Sequence, residues 1–163
     1  MLPVLVYLDQ NYLSGMAKRK PAFRELEPVL RAAVARGSIA CPESEAHEIE
    51  SAARPDLGLV ELLRGLAGGR RLPDPRGALE QSLGLRLATL LQRDFPERRP
   101  QPSDVLDLRA LATALPRCRL VTCDAFMADV VRRAGLDIRF NVELYTGRRP
   151  DVEFLRARVE ALR

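Results

Sequence analysis

The chain has 163 residues, 47% of them hydrophobic and 29% charged, with a net charge of +4; that suffices for one domain over 1–163 with a sizeable core and is short for two. No apolar run reaches the ~18 residues that span a bilayer, and no basic region precedes the first apolar run, so neither a membrane span nor a secretion signal is expected. Three cysteines without close pairing (Cys41, Cys118, Cys123) and a single histidine, His47, offer no disulfide framework and no zinc site, and are expected as buried thiols in a reducing, cytoplasmic setting.

Residues 4–8, VLVYL, are an apolar run of strand length rich in β-formers. A short helical turn is expected over 14–18, before Pro21. From Ala22, the apolar positions Phe23, Leu26, Leu30, Ala33 and Val34 recur at helical spacing as far as Gly37. SIAC, 38–41, reads as a short strand, and Pro42 suits the first turn of the helix that carries ESEAHEIESAA. Helical patterns return over 59–66 and 79–91, on either side of GGRRLPDPRG. FPERRPQPSD is a proline-rich loop, after which Ser103 has the chemistry of an N-cap for a helix through Leu106, Ala110, Leu111 and Ala114. CRLVTC is the next strand, AFMADVVRRAG a helix closed by Gly135, and DIRFNV a last strand. Val152, Leu155, Val159 and Leu162 mark the apolar stripe of a final helix.

Strands alternating with helices imply an α/β fold, with a mostly parallel sheet covered on both faces. Such sheets bind ligands outside the carboxyl ends of their strands. Two strands end there in an acid: VLVYL delivers Asp9 and RLVTC delivers Asp124. Helices add two further pairs, Glu45 with Glu48 and Asp104 with Asp107, each three residues apart and so on one helical face. Each pair alone is a favourable first-turn charge. Brought together in a partly dehydrated pocket, the acids repel and call for a cation. Oxygen ligands without a His or Cys cluster suit Mg²⁺ or Mn²⁺. The cationic charge is mostly arginine, doubled at Arg70–Arg71, Arg98–Arg99, Arg132–Arg133 and Arg148–Arg149, and guanidinium forks suit phosphate.

These residues resemble the PIN-domain ribonucleases, the family that includes the VapC-type toxins of toxin–antitoxin pairs. The likeness runs along nearly the whole chain. VYLDQNYLS is similar to the family's opening strand, acid and Asn, with Gln10 where a small hydroxyl usually stands. DLRALATALPRCRLVTCD is similar to the family's acid-bearing helix, strand, threonine and fourth acid. The resemblance implies a three-layer α/β/α sandwich and Mg²⁺- or Mn²⁺-dependent cleavage of RNA. It carries over Asp9, Glu48, Asp107 and Asp124 as catalytic metal ligands, with Asn11 and Thr122 supporting them by hydrogen bonds. Glu45 remains an alternative to Glu48, and Asp104 to Asp107. A cognate antitoxin protein and a homodimer are the implied partners, and a non-catalytic RNA- or protein-binding module of the same fold is the alternative function.

The His47–Glu48 pair makes no zinc-protease motif, since Ser51 stands where the second histidine would be needed, and His47 is expected on an acidic helix surface. The segment 55–100 matches no motif and is open to a substrate lid or a dimer face.

Overall fold

The computed structural model describes residues 2–162. Among them, four strands alternate with nine α-helices. Strand β1 (Val4–Tyr7) is followed by α1 (Gln10–Ala17) and α2 (Pro21–Ala35); β2 (Ile39–Ala40) by α3 (Glu45–Ala52), a 3-10 turn at Pro55–Leu57, α4 (Leu59–Ala67), α5 (Ala78–Asp94) and α6 (Asp104–Ala114). Strand β3 (Leu120–Thr122) leads to α7 (Ala125–Arg133) and α8 (Leu136–Phe140), and β4 (Glu143–Tyr145) to α9 (Arg149–Glu160).

All strand pairs are parallel and the sheet order is β2-β1-β3-β4. Val4 sits opposite Ile39, Val6 opposite Leu120, and Val121 opposite Leu144. Side-chain alternation sorts each strand between two apolar layers. Val6, Leu8 and Leu120 join Leu13, Leu26, Leu30, Leu63, Leu66 and Leu155, from α1, α2, α4 and α9. Tyr7 and Val121 face the other way, onto Leu83, Leu87, Leu111, Met127 and Val130, from α5, α6 and α7. The result is a three-layer α/β/α sandwich. The chain reverses between β1 and β3: β2 lies to one side of β1, and the next two strands add on the other. No helix is long and apolar enough to cross a membrane among the described residues.

The segment 55–100 contributes α4 to one apolar layer and α5 to the other. Its loop is tied down as well, for Glu43 takes the Leu72 N–H at 2.8 Å and gives its own N–H to the Arg70 carbonyl at 3.0 Å. The three cysteines are free and buried.

Several expectations are corrected. Helix α1 begins at Gln10, four residues before the expected turn, because the Asp9 carboxylate caps it by accepting the Tyr12 N–H at 3.3 Å. Pro42 lies outside α3, which starts only after Ser44, whose hydroxyl accepts the His47 N–H at 3.4 Å. Ser103 precedes α6 but makes no side-chain cap. DIRFNV is not a strand. Gly135 (φ 66°) and Asn141 (φ 55°), both left-handed, bracket the single helical stretch α8, and Asn tolerates that conformation. Ile138 there is 82% exposed, so the alternation that suggested a strand has no second face to bury; β4 starts at Glu143.

Candidate active site

The reversal of the sheet opens a crevice between the carboxyl ends of β1 and β3, where ligands of such sheets bind. It holds a cavity of about 220 Å³ whose wall includes Asp9, Asn11, Glu50, Asp107, Thr122 and Asp124. Two of these acids are helix caps. Asp9 caps α1, and Asp124 caps α7 by taking the Met127 N–H at 2.7 Å. Capping spends one carboxylate edge and fixes the side chain, leaving oxygen free to face the crevice. Asp107 reaches in from the first turn of α6 and Glu50 from α3.

Asp9 is held hardest. The N–H of the Leu8–Asp9 peptide donates to Thr122 Oγ1 at 2.7 Å, and Thr122 Oγ1 donates in turn to Asp9 Oδ1 at 2.9 Å. The carbonyl of the same peptide accepts from His47 Nε2 at 2.6 Å. Since a carbonyl only accepts, Nε2 carries the proton, and Nδ1 is the acceptor for the Ser44 hydroxyl at 2.9 Å. His47 is 2% exposed and stacks on Tyr7, ring centroids 5.0 Å apart. It is therefore not a surface residue, and burial pushes its pKa down to about 4, keeping the ring neutral.

The acids raise one another's proton affinity. Burial, and then the negative charge of Asp124, pushes Asp9 up to about 6 against the pull of the Thr122 and Tyr12 hydrogen bonds. Burial followed by Asp124, Asp104 and Asp9 pushes Asp107 up to about 6. Glu50 goes furthest, to about 7, through burial and the charges of Asp107 and Asp9. Clefts in which burial and like charge act together on several acids are candidate functional sites.

No protein-family model, no curated protein and no solved structure matches this chain. The site's own residues carry the reading.

Asp9, Asp107 and Asp124 stand where the sequence placed them, and Asn11 and Thr122 line the same cavity. Glu48 does not. It lies on the far face of α3, half exposed, in a two-pronged pair with Arg71 at 2.5 and 3.0 Å that draws its pKa down. Glu45 is paired with Arg76 at 3.0 Å. Asp104 is bound by the Arg98 fork at 2.7 and 3.0 Å and by the Gln101 N–H at 2.8 Å, while Arg98 stacks on Phe126 at 4.3 Å. Arginines thus occupy all three of these acids outside the cavity. Glu50 is the carboxylate that sequence reasoning missed. Its signal was helical phase: Ala46, His47 and Ser51 are buried and share its side of α3, whereas Glu45, Glu48 and Ala52 fall on the other.

Each arginine doublet is divided in the same manner. Arg71, Arg98, Arg133 and Arg149 are engaged by carboxylates. Their neighbours Arg70, Arg99, Arg132 and Arg148 are exposed and form no ion pair among the described residues.

Proposed function

We propose that this chain is a metal-dependent endoribonuclease whose active site is Asp9, Glu50, Asp107 and Asp124. The observation that supports it is the meeting of four acids, two just past the ends of β1 and β3 and two on α3 and α6, in one crevice at the point where the sheet reverses. Burial and like charge make holding them there costly, and push Asp9, Glu50 and Asp107 up from the ordinary carboxylate range; a divalent cation would displace those protons.

The donor set fits such a group. It consists of hard oxygen atoms, with no thiol or imidazole reaching the cavity except the buried, high-pKa Cys123. Among the described residues no three His, Cys, Asp or Glu side chains are arranged as they stand to hold an ion. Oxygen donors from a few carboxylates, completed by water and a substrate phosphate, are the set that Mg²⁺ or Mn²⁺ takes. Asp9, Asp107 and Asp124, with Glu50 beside them, are the residues that would hold it. The ion would supply charge neutralisation and Lewis acidity at the phosphodiester.

The chain's own groups do the rest. Asp9 and Asp124, fixed by their capping bonds, present carboxylates in a set direction. Burial and the charges of Asp107 and Asp9 hold the Glu50 pKa up at about 7, which suits a carboxylate that accepts a proton from an attacking water near neutral pH. Asn11, exposed at the rim, and the free guanidinium of each arginine doublet offer hydrogen bonds to a nucleic-acid backbone. With the resemblance to PIN-domain ribonucleases, these features favour RNA as the substrate.

The test is incubation of labelled RNA with the protein in Mn²⁺ or Mg²⁺, alongside Asp9→Asn and Asp107→Asn. Cleavage by the wild type and its loss in both variants is expected. Cleavage that persists in both overturns the site, and RNA binding without cleavage by the wild type replaces the enzyme with a binding module. A short reading frame overlapping the start of the coding region would mark the chain as the toxin of an antitoxin pair.

A further inference from the structure

We infer that His47 is a positioning residue for Asp9, fixing the Leu8–Asp9 peptide from the side opposite Thr122 and so setting the direction of the Asp9 carboxylate. The role in metal binding rests on the function proposed above, while the clamp itself can be judged without it.

Leu8 lies one residue past the end of β1 and is fully buried. Helical bonding begins only with the next carbonyl, that of Asp9, which takes the Leu13 N–H at 3.1 Å. The Leu8–Asp9 peptide therefore belongs to neither strand nor helix, and its buried polar atoms need side-chain partners. It has one on each side: His47 on the oxygen at 2.6 Å and Thr122 on the nitrogen at 2.7 Å. A peptide is planar, so gripping both polar atoms fixes its rotation and with it the start of the Asp9 side chain. Ser44 keeps the imidazole in the tautomer that donates from Nε2, and the Tyr7 ring supports its face. His47 and Glu50 are three residues apart on α3, so one helix both aims Asp9 and brings a carboxylate to the same cavity. Groups that orient a ligand in this way tune metal affinity about 10- to 100-fold.

Two substitutions separate a clamp from a histidine that merely fills the core. Gln places an N–H near the position of Nε2 and keeps the donor; Leu fills the space and loses it. The measurements are amide hydrogen exchange at Asp9, relative to the globally protected amides, and Mn²⁺ affinity by titration. Val159→Ala, in the opposite layer, supplies a destabilised control with the cavity intact. His47→Leu is expected to speed Asp9 exchange about 10-fold beyond the global change and to weaken Mn²⁺ about 10- to 100-fold; His47→Gln should stay within about threefold of wild type. Ser44→Ala, which frees the tautomer, should move both readouts in the direction of His47→Leu if that variant fails to fold. The inference is overturned if Asp9 exchange is unchanged in His47→Leu or Ser44→Ala, if His47→Gln loses as much as His47→Leu, or if Val159→Ala loses as much as either. A wild type that takes up no Mn²⁺ sinks the proposed function, and the exchange data still decide the clamp.

Discussion

Thr122 Oγ1 both receives the Asp9 backbone N–H, at 2.7 Å, and donates to the Asp9 carboxylate, at 2.9 Å. One hydroxyl, fully buried at the end of β3, thus satisfies the main chain and the side chain of Asp9, two residues past the end of β1. The two adjacent strands are locked together at the point where the crevice opens.

Thr122→Val keeps the shape and deletes both bonds. A buried N–H and a carboxylate oxygen lose their partner, so a cost of about 1–3 kcal/mol is expected, read as a shift of the urea midpoint at unchanged slope. Thr122→Ser, which keeps the hydroxyl, should recover most of it. Equal stability of the Val variant would show that the hydroxyl contributes nothing to this junction.

Glu50 and Glu48 lie two residues apart with opposite fates. Glu50→Gln is expected to lower RNA cleavage about 10²- to 10⁴-fold, the usual weight of a proton-accepting group. Glu48→Gln should stay within about threefold, because an exposed ion pair with Arg71 contributes at most about 1 kcal/mol. Reversal of this order in a cleavage assay would return the role to Glu48.

Protonation gives the site a signature in stability. Asp9, Glu50 and Asp107 titrate at about 6, 7 and 6 when folded, above the ordinary carboxylate range near 4. Between those limits the folded chain holds protons that the unfolded chain has released, so their contribution is complete below about pH 4 and is lost as pH rises through 6 to 7. His47 acts the other way, since its pKa falls from 6.5 to about 4 on folding; it favours the native state as pH rises through that interval. Comparing wild type with Glu50→Gln cancels His47. The metal-free variant should gain stability over wild type between pH 5 and pH 8, and saturating Mn²⁺ at pH 8 should narrow the gap. Parallel urea midpoints for the two chains across that interval would exclude a proton on Glu50.

Gly15 is needed for packing rather than for its backbone freedom. A Cβ there would come within 2.7 Å of the Phe23 ring, which Tyr12 already meets edge-on with centroids 5.1 Å apart. Gly15→Ala should cost about 1–3 kcal/mol through overpacking, despite the better helix propensity of alanine. Thermal unfolding of the variant checks it, and a raised midpoint would mean that α2 gives way freely.

What the sequence made legible follows from how far each feature depends on register. Asp9 and Asp124 needed only the end of an apolar run, and both stand where the runs end. Asp107 was chosen over Asp104 on likeness, and the Arg98 fork explains why Asp104 is unavailable. Glu50 was hidden because its buried side of α3 is made by Ala46, His47 and Ser51, small or polar residues that mark no apolar face. Residues 42–52 carry four glutamates, and no run of large apolar side chains says which of them turns inward. His47 reads as exposed because it stands between the acids Glu45 and Glu48, yet these turn to Arg76 and Arg71 in the loop between α4 and α5 while the imidazole turns inward. In DIRFNV an alternating pattern masked the left-handed Asn141, and a non-glycine position of that kind leaves no trace in hydrophobic periodicity.

The order β2-β1-β3-β4 also bears on when the crevice can exist during synthesis. Asp9 emerges from the ribosome before the other three acids, but its hydroxyl partner follows 113 residues later, and Asp124 two positions after that. Until β3 pairs with β1 the Asp9 amide has no Thr122 to bind, and pairing over so long a loop is slow. A nascent chain or a truncated product ending before Leu120 thus carries two strands, most of the arginines and three of the four acids, yet no assembled site. The acids become a cluster only after β3 has been made, a delay written into the strand order itself.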